Sequence, residues 1–305
     1  MKVLRLATLA GASLCALFAQ PRLTYSSFIG GSGSEVVTAS TVDENGRLWI
    51  TGYTLSQDFP LSETRFQEVN RGGRDIFVAQ IDTRFAGPTS IRYATYIGGS
   101  GNEQPTCIAV RGGYVYVGGI TDSIDFPLGG LAAQNVPATN QDGFVLKLDP
   151  TKGPDAAMLY STYIGGAGLD RVTAVATDGD RIYVAGYTTS DDFPTAGGAF
   201  QTANAGNGDA FVAVYDTRLA TASATLVYST LLGGAGVDSA TAIGFDADFS
   251  IYVTGTTSSG DFRVTQNARQ GGFSGGTDVF LTKIDLTRPA TPAYSTFIGG
   301  AGNET

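Results

Sequence analysis

Three sets of acidic residues recur at one spacing through the sequence, and any chemistry would have to draw on them. Glu35, Glu103, Asp170 and Asp238 each follow a glycine-rich loop, and Glu304 begins a further copy. Convergent carboxylate oxygens hold hard cations, so these four side chains, ringed around the mouth of a central channel, would form a Ca²⁺ site. The alternative, which their repetition favours, is that each carboxylate caps the amides of its own loop. Asp58, Asp125, Asp192 and Asp261 form a second set, each followed by Phe; Asp75, Asp142, Asp209 and Asp278 form a third, each with Phe two residues on. Such aspartates accept hydrogen bonds from turn amides and fix where a strand begins, and the Phe beside the second set serves as a plug. A residue that recurs once per unit answers a need of every unit, whereas an active site needs one copy in one place.

Enzyme signatures are thin. The sequence has no histidine, which excludes a Ser-His-Asp triad, a Cys-His pair and histidine-ligated zinc. Two carboxylates suffice for a glycosidase, but the adjacent Asp191 and Asp192 would point to opposite sides of an extended strand, and Asp178 and Asp180 belong to a hairpin tip. Neither pair is a catalytic dyad. The Gly-Gly-Ser-Gly runs lack the lysine of a phosphate-binding loop. Trp49 matches Tyr116, Tyr183 and Tyr252 in the repeat and so reads as a strand aromatic, with sugar stacking as the alternative. No catalytic residue and no cofactor other than the Ca²⁺ of the acidic set is assigned.

The elements that carry these residues follow from self-similarity. Tyr25–Gly31 (YSSFIGG) returns as YATYIGG from Tyr93, YSTYIGG from Tyr160, YSTLLGG from Tyr228 and YSTFIGG from Tyr294, a period of about 67 residues. Each unit holds four strand-like runs; in the third these are Val172 to Thr177, Arg181 to Tyr187, Ala210 to Tyr215 and Leu226 to Leu232. Thr177-Asp178-Gly179-Asp180 joins the first two as a hairpin turn. The first run alternates a bulky face, Thr106, Ile108 and Val110 in the second unit, with a small one, Cys107 and Ala109. Such a strand suits the crowded hub of a propeller, where Cys107 takes the place of Ala39, Ala174 and Ala242 as a small buried hydrophobe. The fold class is therefore all-β, a β-propeller of four-stranded antiparallel blades. The units lie near 25–92, 93–159, 160–227 and 228–293, with a partial unit at 294–305.

The composition agrees. Forty-two glycines, 14 Tyr and 17 Phe against only 15% charged residues suit many short strands and tight turns. Lys2 and Arg5, the apolar run Leu6 to Phe18, then Ala19, Gln20 and Pro21 read as a secretory signal peptide over residues 1–19. A lipoprotein with Cys15 as the lipidated residue is the alternative, which Leu14 disfavours. Removing residues 1–19 takes the net charge from −9 to about −11, which argues against nucleic acid and anionic membranes as partners. Cys107 is left without an intrachain disulfide partner. No other stretch is long and apolar enough to span a bilayer.

The runs YSTYIGGAGLD, IYVAGYTTSDDFP and DAFVAVYD resemble the SBBP-type beta-propeller repeat family of bacterial exported proteins, over essentially all of residues 25–305. Arg263, where the other units have Pro, is a small departure. The resemblance implies a propeller and an exported protein, but no reaction. Two arrangements are open: a reading cut short from a larger propeller of about six to eight blades, or a four-blade ring closed on itself. The expectation for function is a secreted or cell-surface scaffold that binds an extracellular protein or glycan. Its variable polar loops at 61–74, 128–141, 195–208 and 264–277 are the places for recognition. A carbohydrate-active enzyme using carboxylates at the channel mouth and a structural spacer in a larger surface protein are the alternatives.

Overall fold

The computed structural model describes residues 23–138, 141–219 and 221–304. The segment read as a signal peptide, with Cys15, lies outside them. Among the described residues, sixteen strands form four antiparallel sheets of four, each ordered along the chain. Blade 1 comprises β1 (Glu35–Val42), β2 (Leu48–Thr54), β3 (Asp75–Ile81) and β4 (Ile91–Ile97). Blade 2 comprises β5 (Glu103–Arg111), β6 (Tyr114–Thr121), β7 (Asp142–Leu148) and β8 (Met158–Ile164). Blade 3 comprises β9 (Asp170–Thr177), β10 (Arg181–Thr188), β11 (Asp209–Asp216) and β12 (Leu226–Leu232), and blade 4 comprises β13 (Asp238–Phe245), β14 (Ile251–Thr257), β15 (Asp278–Ile284) and β16 (Tyr294–Ile298). Among the described residues, helix is confined to single turns such as Pro154–Ala157 and Ala222–Thr225. No helix among the described residues is long and apolar enough to cross a membrane.

The first strands converge, β1 on β5, β5 on β9 and β9 on β13, so they line the hub. The period-two reading of these strands needs one correction. Each carries a bulge at a threonine: Thr38, Thr106, Thr173 and Thr241 are skipped in the pairing with the second strand. The bulge turns the hydroxyl away from the apolar face expected of Thr106 and toward backbone carbonyls. Thr173 Oγ1 donates to Ala185 O in its own blade at 3.1 Å and to Ala240 O in the next at 2.7 Å, and Thr106 Oγ1 makes the equivalent bond to Val172 O. A glycine faces each bulge because the backbones come too close for a side chain: a Cβ on Gly186 would lie 1.9 Å from Arg171 O, and one on Gly52 1.9 Å from Val36 O.

Three apolar clusters fill the spaces between consecutive blades. Trp49, Ile76 and Val78 meet Val115, Val117 and Phe144; Tyr116 and Val145 meet Val172, Val184 and Phe211; Tyr183 and Val212 meet Ile251, Val253 and Phe280. In every blade the Phe of the Asp-Phe pair packs against the third-strand Phe, as in Phe59 on Phe77 at 4.8 Å and Phe193 on Phe211 at 4.6 Å. Phe262 does the same beside Arg263, on Phe280 at 4.8 Å, so the plug does not depend on proline. β13 does not pack on β1 as β9 packs on β13. Of the two arrangements left open by the sequence, the closed four-blade ring is not the one the described blades take: they form an open arc, because each first strand packs on its sequence neighbours.

Candidate functional site

Each repeated carboxylate is engaged inside its own blade. Glu35 accepts from Thr54 Oγ1 at 2.7 Å and from Ser56 Oγ. Glu103 accepts from Thr121 Oγ1 at 2.7 Å, Ser123 Oγ and the Gly99 amide. Asp170 and Asp238 accept from Ser190 Oγ and Ser259 Oγ, and from the Gly166 and Gly234 amides at 2.9 Å. Glu103, Asp170 and Asp238 are wholly buried. Among the described residues, no three His, Cys, Asp or Glu side chains come together in a way that would hold a metal ion. The geometry is that of loop caps.

The other two sets also bind loop amides. Asp58, Asp125, Asp192 and Asp261 take the amides of Ser32, Ser100, Ala167 and Ala235 at 2.7 to 2.9 Å, so each ties its blade to the glycine loop that precedes it. Asp75, Asp142, Asp209 and Asp278 take the amides of Arg71, Ala138, Ala205 and Ser274. Asp191 and Asp192 are not in a strand but in a turn; the Asp58-type bond to the loop pulls the chain out of the extended form. Trp49 is buried, with Nε1 donating to Asp43 Oδ2 at 3.1 Å and its ring 6.1 Å from that of Tyr93, which is the strand-aromatic role.

Two of these sets meet under the glycine loops that join blade 1 to blade 2 and blade 2 to blade 3. A Cβ on Gly98 would lie 2.4 Å from Glu103 Oε2 and 2.6 Å from Asp75 Oδ1; at Gly165 the corresponding neighbours are Asp170 and Asp142. Burial, with the neighbouring carboxylate adding to it, pushes Glu103 up to about 7 and Asp209 up to about 6, and burial raises Asp75, Asp170 and Asp238. Oδ1 of Asp75 and Asp209, like that of Asp278, has no hydrogen-bond partner. Cys107 is partly buried, and burial pushes its thiol up to about 12, so it is a packing residue.

A solvent-facing site lies elsewhere, at the hairpin tips that join the first and second strands of blades 2, 3 and 4. There a cleft of 470 Å³ is lined by Arg111, by Asp178, Asp180 and Arg181, by Arg218, and by Phe245, Asp246 and Phe249. Phe249 stands in the left-handed region at φ 60° and is exposed. It stacks on Phe245 at 6.3 Å, which stacks on Tyr183 at 4.6 Å, while the Arg181 guanidinium lies 5.5 Å from the Phe249 ring centre. Arg218 forks onto Asp216 at 2.7 and 3.0 Å and reaches Asp180 at 3.4 Å. The Arg218 hydrogen bonds hold Asp216 below the ordinary carboxylate range, and Lys283 does the same for Asp246.

Sequence reasoning placed Asp178 and Asp180 at a hairpin tip and missed Phe249, Arg218 and the cleft itself. The one local signal is an aromatic in the turn Asp246-Ala247-Asp248-Phe249. The arrangement offers an aromatic face flanked by both signs of charge, which suits a sugar ring or a polar peptide side chain. Acid–base hydrolysis is less well served: an acid pair needs one carboxyl kept protonated, and the raised acids are buried under the loops while Asp180 and Asp246 in the cleft are paired with Arg218 and Lys283.

No curated protein matches the sequence. Among solved structures, a mannose phosphorylase from Leishmania mexicana in complex with phosphate ion aligns over 90% of this chain and 73% of its own, at 12% identity and a TM-score of 0.37. A GH43 beta-xylosidase/alpha-arabinofuranosidase from a compost microbial metagenome, in complex with xylotriose, aligns over 90% and 78%, at 12% identity and a TM-score of 0.35. The family model that matches is the SBBP beta-propeller repeat, at residues 159–194 and 227–263. Those segments run from the outermost strand of one blade through the glycine loop and hub hairpin of the next to its Phe plug, so in these two stretches the chain is similar to SBBP beta-propeller repeats.

Proposed function

We propose that this chain is an exported propeller scaffold that binds a protein or glycan ligand outside the cell, through the cleft at the hairpin tips of blades 2 to 4. The observation that carries the reading is the exposed Phe249, stacked on the half-buried Phe245 and flanked by Arg181, Arg218 and Asp178. An aromatic held out of the core in a left-handed turn costs stability, and a ligand surface gives it a use. The N-terminal pattern of Lys2, Arg5 and the apolar run to Phe18 supports export.

The test is a binding survey of the mature chain, from Gln20, against oligosaccharides and peptides. Hits would be repeated on Phe249→Ala and Arg218→Ala. A ligand whose affinity falls about tenfold or more in both variants, each still folded by circular dichroism, supports the cleft. A ligand bound equally by all three proteins overturns this cleft as the site.

A further inference from the structure

The hub hairpins repeat one turn, and two of them depart from it. Val42 with Leu48, Val110 with Val115, Thr177 with Ile182 and Phe245 with Ile251 are equivalent pairs of the first and second strands. The residue that follows the first member is Asp43, Asp178 or Asp246 in blades 1, 3 and 4, but Arg111 in blade 2. The three aspartates do one job. Oδ1 takes two turn amides, those of Asp180 and Arg181 in blade 3, and Oδ2 takes the second-strand aromatic donor, Trp49, Tyr183 or Tyr252. Blade 2 turns through Gly112 and Gly113 at φ 58° and 83° and needs no such cap, so Arg111 reverses the charge without serving the turn. The second departure is Phe249. Its amide donates to Asp246 O as that of Gly46 donates to Asp43 O, and both residues stand at positive φ. Glycine takes that conformation freely, and Phe249 takes it under strain.

Both single-copy departures line the cleft at the hairpin tips. The other charges there are answered within the chain. Arg181 and Arg218 meet Asp216 as Arg47 and Arg84 meet Asp82 in blade 1. Asp178 is occupied by its turn, Asp246 also takes Lys283 Nζ at 3.1 Å, and Asp180 Oδ2 takes Arg218 at 3.4 Å. Among the described residues the exposed Arg111 guanidinium has neither a hydrogen-bond nor an ion-pair partner, and Asp180 Oδ1 accepts no hydrogen bond. The cleft therefore offers one uncompensated cation, one acceptor and one exposed aromatic.

We propose that the ligand of this cleft is a carboxylated saccharide, one that presents a uronic acid residue, and that Arg111 selects its charge. The inference rests on the reading of the cleft as the binding site and names what it takes. The planar Arg111 guanidinium forks onto the carboxylate. The C–H face of the sugar ring packs on the exposed part of Phe249, and a ring hydroxyl donates to Asp180 Oδ1. An acidic peptide side chain supplies the carboxylate but no hydroxyl, and Asp180 would then repel it. One uncompensated cation on a chain of net charge −9 suits a single carboxylate rather than a densely charged polyanion.

The probes are galacturonate, glucuronate and mannuronate trisaccharides, each beside its carboxyl-reduced neutral counterpart, and an Asp-Glu tetrapeptide. They are titrated calorimetrically into the mature chain, Arg111→Gln and Phe249→Gly. Arg111→Gln leaves melting unchanged, because that side chain is in solvent, and Phe249→Gly installs the residue that blade 1 uses at the same turn. At least one uronate is expected to bind saturably, about tenfold or more tighter than its neutral counterpart. Arg111→Gln abolishes that preference, and Phe249→Gly weakens both forms. The proposal is overturned if no uronate binds, if a neutral counterpart binds equally, if the preference survives Arg111→Gln, or if the peptide binds more tightly than every uronate. A neutral sugar or peptide that binds and is lost in Phe249→Gly removes the carboxylate assignment alone and leaves the cleft as the site. A uronate bound equally by the parent chain and Phe249→Gly removes the cleft as well.

Discussion

The junctions between blades and the two outer faces of the arc are built from the same repeat, yet they differ in kind. β7 and β11, inside the arc, are buried at every position, whereas β15 alternates buried and half-buried positions because nothing covers its second face. In blade 2, Tyr116 and Lys147 reach across to Gly179 O at 2.8 and 2.7 Å; in blade 4 the matching Tyr252 and Lys283 turn back to Asp246. The lesson is that the blade is not the unit of stability. Each sheet has two apolar faces and buries one only when a neighbour arrives, so stability resides in the junctions, as in other repeat architectures.

The largest test of that contrast exchanges one hub valine for a charge. Val172→Asp, in a filled junction, is expected to cost about 4 kcal/mol or more in chemical denaturation, enough to unfold the arc, whereas Val37→Asp costs less than about 1 kcal/mol. Equal losses would mean that the face of blade 1 is covered in solution.

The junction acids give an intermediate effect. Burial raises Glu103 to about 7 and Asp209 to about 6 in the fold, so the folded state holds their protons more tightly than the unfolded chain. Their contribution is complete below the ordinary carboxylate range and is lost as pH rises through about 6 to 7. The melting temperature is thus expected to fall between pH 5 and about 8, and Glu103→Gln flattens that fall. Asp216 and Asp246, held low by Arg218 and Lys283, act in the opposite sense and lose their contribution only as pH falls below the ordinary carboxylate range. A melting temperature that rises steadily from pH 5 would show that the buried acids are ionised.

The smallest effect compares two bulge threonines. Thr173→Val loses the bond to Ala240 O across a junction and should cost about 1 kcal/mol; Thr241→Val, whose hydroxyl makes a 3.4 Å contact within its own blade, should cost a few tenths. Urea titrations of the two variants distinguish them, and equal costs would remove the threonine bridge as a junction contact.

Much of this molecule was legible in the residues. Strand number, the Asp-Gly hairpins, the Phe plugs and the amide-capping aspartates follow from local pattern repeated in register, and β12 at Leu226–Leu232 coincides with the run read from sequence. The bulge at Thr106 was not legible, because an apolar-small alternation reads the same with or without one extra residue; only the approach of Val172 O decides where the hydroxyl goes. Asp191-Asp192 looked like the end of a strand until the bond from Ala167 drew it into a turn. Phe249 and Arg218 were invisible as a site because their partners stand in other units.

The sequence by itself determined a repeat of about 67 residues, four strands in each copy, and which polar side chains serve the scaffold, because strand alternation and turn chemistry act over a few neighbouring residues. The tertiary structure decided that the four blades form an open arc, that carboxyls from adjoining blades meet in pairs under two of the glycine loops, and that three hairpin tips make one cleft. Those outcomes depend on how each sheet is set against the next. That relation is fixed by packing between residues some 67 positions apart, and no local pattern encodes it.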